Sequence, residues 1–228
     1  MDQRLLELQQ AKVIEIVHQS ARAGVQKILE LALSAFYFAD HVIQVVESAN
    51  TLPRPIACQE GCYFCCCNQV ELTTPEALFL GHYVEQHFAD EEKKGLMSAL
   101  RRSLDLQAGK HKVEMARIRP PCPLLQDRKC SAYPARPLVC RAMHTLDAEQ
   151  CEEAFNNRDL TSPPYYAHRH EIYFSISQGL LAGCRAVGCQ SAPLELSRAL
   201  LDYFNQPRPV ERWLQGEKVF KISRPPKN

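Results

Sequence analysis

Cys58-Gln-Glu-Gly-Cys62-Tyr-Phe-Cys65-Cys66-Cys67 places five of the chain's eleven cysteines within ten residues. Cys122, Cys130 and Cys140 follow, with Cys151 just beyond. Thiols this dense, in a chain this long, most economically mean bound metal. If the run is helical, at about 100° per residue, Cys58, Cys62, Cys65 and Cys66 share roughly 100° of arc. Cys67 then points about 180° from Cys58. Four thiols can converge, and the fifth is the odd one out.

A disulfide scaffold is the competing explanation, and length argues against it. A chain of 228 residues buries roughly 70% of its unfolded surface and needs no staples, unlike a small secreted domain. An odd count of eleven cannot pair completely within the chain. The first residues lack a basic segment followed by an apolar run, so no secretory signal is expected. The longest candidate apolar run, Leu31 to Ala39, is far short of the ~18 residues of a span, so no membrane is expected. These points place the chain in the reducing cytoplasm, with the thiols kept by metal. A net charge of +1 names no polyanionic partner, and no nucleic acid is expected; the partners are metal and, in an interaction module, another protein.

The rest reads as mainly α: a helical bundle around an irregular cysteine-rich loop layer, with one small β-hairpin. Apolar residues recur every three or four positions from 3 to 49, with Gly24 as the one candidate break, so the stretch is one long helix or two packed ones. Thr74 is the expected N-cap of a helix reaching Phe88, with Pro75 at its first position. Asp90 caps the next, to about Arg117, weakened at Gly95 and Gly109. Prolines make Arg119 to Pro123 extended, and a turn at Gln126-Asp127-Arg128-Lys129 gives the hairpin. Pro134 and Pro137 keep the chain irregular until Val139. Helices are then expected from Thr145 to Phe155, Tyr165 to Gly183, Pro193 to Phe204 and Pro209 to Leu214. The divisions are an N-terminal helical region (1–50), a cysteine-cluster core (51–160) and C-terminal helices with a basic tail (161–228), together one compact domain. The tail bears Arg208, Arg212, Lys218, Lys221, Arg224 and Lys227 and reads as solvated. The N-terminal helices are expected to pack on the Tyr165 helix and cover the loop layer.

Cys58-x3-Cys62-x2-Cys65-Cys66 resembles the signature of the CxxxCxxCC cysteine-cluster family, described as putative zinc- or iron-chelating domains. Cys122-Pro123-Leu124-Leu125 and Cys130-x2-Tyr133-Pro134-x-Arg136-Pro137-x2-Cys140-Arg141 resemble its second half. Cys151 stands where the eighth characteristic cysteine would fall. The resemblance spans Cys58 to Cys151 and implies metal chelation by Cys58, Cys62, Cys65, Cys66, Cys122, Cys130, Cys140 and Cys151. Some relatives act in protein methylation or metallo-biosynthetic steps.

Eight thiols suffice for two four-thiolate zinc sites or for one iron–sulfur cluster with ligands to spare. Adjacent side chains diverge by about 100° in a helix, so Cys65 and Cys66 serve two metals, or two corners of a cluster, more easily than one ion. In one continuous helix Cys140 and Cys151 would stand about 16 Å apart, so the chain bends near Thr145 or Cys151 serves a second site. Four thiolates on Zn²⁺ leave a charge of −2, which Arg136 and Arg141 are placed to offset, with Tyr133 as a donor to sulfur. His144 is a weaker ligand candidate. Cys184 and Cys189 read as small buried apolar residues. His168-Arg169-His170-Glu171 reads as a solvated face, and Tyr165, Tyr166, Tyr173 and Phe174 as core. No phosphate loop or nucleophile elbow is present. The pattern leaves open a catalytic metal, a structural site supporting an interaction module, and metal storage or delivery.

Overall fold

The computed structural model describes residues 1–19, 22–158 and 162–222 and is mainly α-helical. The helices α1 (Gln3–Gln19) and α2 (Val25–Ser48) are separated at Gly24, whose φ of 55° ends helical continuity. A two-residue strand β1 (Glu71–Leu72) leads into α3 (Thr74–His87), followed by α4 (Asp90–Gln107) and α5 (Lys112–Ile118). The strands β2 (Leu125–Gln126) and β3 (Lys129–Cys130) form the expected hairpin, with Leu125 opposite Cys130. Then come α6 (Leu138–Ala142), α7 (Ala148–Asn156), α8 (Ala167–Ala186), β4 (Leu194–Glu195), α9 (Leu196–Phe204) and α10 (Pro209–Leu214).

The bundle is organised on α8. Along α1, Gln9, Val13 and Ile16 are buried, and α8 meets them with glycine. A Cβ at Gly179 would stand 2.6 Å from the Leu6 carbonyl oxygen, and one at Gly183 would stand 2.4 Å from Val13 Cβ. Two glycines one helical turn apart therefore set how closely these helices approach. On the other side, α2 buries Ile28, Leu31, Ala32, Ala35, Phe36, Ala39 and Ile43 against α3 and α8. The expected packing of both N-terminal helices on the Tyr165 helix is observed.

Polar clamps join α2 to α8. Arg169 donates from Nε and Nη2 to the two Glu47 carboxylate oxygens, both at 2.6 Å, and His168 Nε2 lies 2.9 Å from Oε1. The Arg169 hydrogen bonds hold the Glu47 carboxyl below its ordinary range against the opposing effect of burial. Tyr173 donates its hydroxyl to Asp40 at 2.8 Å. The solvated-face expectation for residues 168–171 is thus corrected at His168 and Arg169, which close a helix–helix contact. The core expectation is corrected too: Tyr173 is buried, but Tyr165 and Phe174 are 44% and 53% exposed.

Three smaller differences have local causes. The helix start is capped at Thr73, one residue before the expected Thr74, because Glu76 sits at the third helical position and reaches back to Thr73. A second two-stranded sheet, β1 with β4, pairs Leu72 with Leu194; strands of two residues carry no periodicity to read. The C-terminal segment is anchored as far as Lys221. Gln190 accepts from Val219 N–H and Phe220 N–H, and both residues are buried. The backbone is thus fastened through Val219 and Phe220, while the basic side chains of Arg208, Lys218 and Lys221 are exposed as expected; Arg224 and Lys227 lie outside the described residues. By length and composition alone, α2 could cross a membrane, a property its interrupted apolar run concealed; in the fold, 39% of its apolar window is buried.

Replacing Gly183 with Val drives a branched side chain into Val13. A loss of about 1–3 kcal/mol or more, read as a lower urea midpoint, is expected. An unchanged midpoint would mean that α1 and α8 are not packed this closely.

Candidate metal centre

Four backbone segments bring the cysteines together. The first is the loop from Cys58 to Cys62, which runs into a short 3-10 turn at Phe64–Cys67. The arc geometry of a continuous helix therefore does not apply to Cys58 and Cys62. The second is the proline-stiffened approach to Cys122 and the hairpin that carries Cys130. The third is α6, which carries Cys140, and the fourth is α7, which carries Cys151.

Backbone hydrogen bonds stitch these segments. The Cys122 N–H donates to the Cys66 carbonyl at 2.7 Å, and Ala57 N–H donates to the Thr145 carbonyl at 2.9 Å. Thr145 N–H in turn points at Cys58 Sγ, 3.3 Å away. The chain does bend near Thr145, where α6 stops at Ala142 and α7 restarts at Ala148 with Asp147 accepting from Gln150 N–H. That bend returns Cys151 to the early run, and α7 packs on the 3-10 turn.

All eleven cysteines are free thiols. The eight expected ligands fall into two groups joined at one point. Cys151 is in electrostatic range of Cys62, Cys58 and Cys65, and Cys58 of Cys62 and Cys65. Cys140 is in range of Cys122, Cys130 and Cys65, and Cys122 of Cys130. Cys65 belongs to both groups, and its neighbour Cys66 is the first of the causes that raise its thiol. The 3-10 turn thus lets adjacent thiols interact, which a helix would prevent. Cys67, expected to point away, is buried but remains in range of Cys65 and Cys122. Cys184 and Cys189 are buried apart from this layer, in the hydrophobic core as expected.

Burial is the main reason the thiols resist ionisation. It pushes Cys151 up to about 11 and Cys122 up to about 12, and raises Cys58, Cys130 and Cys140. For Cys65 the hydrogen bond to Cys66 comes first and burial second. Backbone N–H groups oppose the rise: Thr145 at Cys58, Leu124 at Cys122 and Ala132 at Cys130. Such donors are what a thiolate needs.

Among the expected outer partners, Arg136 lies in electrostatic range of two of the thiols. Its charge favours the thiolates of Cys65 and Cys130, and its buried Nε has no hydrogen-bond partner. Arg141 is directed elsewhere: it donates to the Arg136 and Pro134 carbonyls, lies 3.6 Å from Asp40 and covers the Phe36 ring at 4.2 Å. Tyr133 is 58% exposed, its ring lying under the Arg136 guanidinium at 4.1 Å. The sequence reading of these two as partners of sulfur is replaced by contacts that hold the 133–141 turn. His144 has no nitrogen left for metal. Tyr166 N–H donates to Nε2 at 2.8 Å, which makes Nδ1 the protonated atom facing the Ala142 carbonyl at 2.7 Å.

One residue at the layer's edge escaped the sequence reading. Glu76 is 2% exposed, and its carboxylate accepts Thr73 N–H, Thr73 Oγ1–H and Leu138 N–H, each at 2.7 Å. It fastens the start of α6, and so Cys140, to the start of α3. The acidic residue in a capping position was visible, but its bond to Leu138, far along the chain, was not.

The donor set fits zinc or iron in chemistry and number: soft thiol ligands, backbone donors aimed at sulfur, and an orphaned buried guanidinium N–H beside two of the thiols. Among the described residues, no three His, Cys, Asp or Glu side chains stand close enough to hold an ion as they are. Binding therefore requires the sulfurs to turn inward. A half-open cleft against Cys122 is lined also by Asn68, Gln107 and Ser197.

Residues 57–161 match the CxxCxxCC family, the putative zinc- or iron-chelating domain. The matched stretch contains all eight of the expected ligand cysteines. No curated protein and no solved structure matches the chain.

In Glu76→Gln an amide N–H faces a backbone N–H that had an acceptor. A loss of about 1–3 kcal/mol is expected for such a broken buried bond, measured by urea unfolding. Wild-type stability in this variant would remove Glu76 from the framework of the site.

Proposed function

We propose that the chain binds two metal ions, zinc or iron, through eight thiolates arranged as adjoining sites. Cys58, Cys62 and Cys151 supply one site and Cys122, Cys130 and Cys140 the other. The Cys65–Cys66 pair completes both. The observation that carries this reading is the position of Cys65, beside Cys66 in the 3-10 turn and within electrostatic range of both groups. With six residues in two groups and two adjacent residues between them, each metal reaches the four ligands that a closed thiolate site takes. A single iron–sulfur cluster would take four of these thiolates and leave the others to spare.

The resident metal would cross-link the Cys58 loop, the hairpin, α6 and α7, and the ligand binding energy would be folding energy for this layer. The thiolates' negative charge would be met by Arg136 and by the Thr145, Leu124 and Ala132 N–H donors. Closed sites of this kind favour a structural or metal-handling role over catalysis. Eleven free thiols suit the reducing cytoplasm.

Elemental analysis of anaerobically purified protein tests the reading. Two zinc or iron per chain are expected, falling to one or fewer in Cys65→Ser, while Cys184→Ser keeps both. Protein without stoichiometric zinc or iron, with its thiols still reduced, would overturn it.

A further inference from the structure

The two thiol groups are not equivalent in their surroundings. Cys122, Cys130 and Cys140 pack against the hydrophobic core beside buried Leu124 and Leu138, and the backbone around them is fastened on every side. Leu125 N–H donates to the Cys122 carbonyl at 2.9 Å, Ser131 N–H to the Leu124 carbonyl at 2.9 Å, and Glu76 holds Leu138. Opening this group would disturb α3, α6 and the hairpin together.

The other group faces solvent. Cys58 is exposed, Cys62 and Cys151 are half-buried like the inner three thiols, and, unlike those, none of the three packs on the core. The helix carrying Cys151, α7, has no buried residue at all. Phe155 holds it on the 3-10 turn, its ring tilted against Phe64 and edge-on to Tyr63, with centroids 5.1 and 6.0 Å apart, and the Arg119 guanidinium 5.8 Å from it. A helix with so little buried surface opens at low cost, as local unfolding follows the number of buried contacts released.

We propose that Cys58, Cys62 and Cys151 form an exchangeable metal site, which yields its ion to a thiol-bearing acceptor, while Cys122, Cys130 and Cys140 retain theirs. This rests on the reading that both groups bind metal. The step is ligand exchange without redox change. A thiol of the acceptor approaches the ion as α7 lifts, a metal–sulfur bond to Cys151 breaks and one to the acceptor forms. The acceptor's proton passes to the released Cys151 thiolate. Repetition at Cys62, at Cys58 and at the ligand from the Cys65–Cys66 pair, each released thiolate taking up a proton, completes the transfer. The soft donor set makes a thiol, rather than a carboxylate or water, the chemical class that competes.

The test uses the full chain loaded with zinc and challenged with excess glutathione, and then with a chromophoric chelator, with release followed by absorbance. Two phases of equal amplitude are expected, their rates separated by about tenfold or more. Cys151→Ser should lose the fast phase and keep the slow one. In unsubstituted zinc-loaded protein, iodoacetamide followed by peptide mass spectrometry should label Cys58, Cys62 and Cys151 well before Cys122, Cys130 and Cys140. That readout needs no variant to fold. Two zinc ions released in a single phase, or uniform labelling of the six cysteines, would overturn the inference while leaving the two-metal reading intact. A chain that holds one zinc or none would overturn both.

Discussion

One backbone hydrogen bond, from Cys122 N–H to the Cys66 carbonyl, joins two stretches that the sequence sets far apart. It places the proline-stiffened segment against the 3-10 turn, and everything else in the thiol layer is arranged around that seam. The hairpin continues from Cys122 and presents Cys130, and α6 delivers Cys140 from the far side. Next to the seam lies Cys65, the thiol common to both groups. Gathering so many sulfurs is unfavourable when they ionise, since burial and mutual repulsion both favour the thiol form. A cation reverses that balance, and the surrounding N–H groups and Arg136 lie ready to support the reversed state.

The helical bundle supplies rigidity on one side of this layer only. Its closest packing, α1 on α8, depends on two glycines, and its polar clamps, Glu47 with Arg169 and Asp40 with Tyr173, join α2 to α8. Arg141 and Glu76 carry that rigidity to α6, the first through Asp40 and Phe36, the second through Leu138. The loop at Cys58 and the helix α7 receive no comparable support. Their difference from the inner group follows from where the core ends.

Most of the scaffold was legible in the sequence because apolar periodicity, prolines and glycines act locally. Gly24 divides the N-terminal helices, Pro209 opens α10, and the turn at Gln126 to Lys129 forms the hairpin. The candidate ligands were legible by residue type, and the family match covers the same stretch. Their grouping was not, since it depends on tertiary contacts that spacing cannot encode. Cys151 joins Cys58 and Cys62 because the chain turns back at Thr145, and a bend has no direction in sequence. The outer partners were misjudged for a related reason. Arg141 and His144 lie close to Cys140 in sequence, but Phe36, Asp40 and Tyr166, contributed by other elements, claim their polar groups. Residues near a ligand in sequence are not thereby near it in space.

X-ray absorption at the metal edge of the anaerobically purified protein is the most direct measurement of the central claim. The account predicts a shell of sulfur alone, four per metal at about 2.3 Å for zinc, with a second metal as a neighbouring scatterer. A shell containing nitrogen or oxygen ligands, or an isolated metal with fewer than four sulfurs, would contradict it.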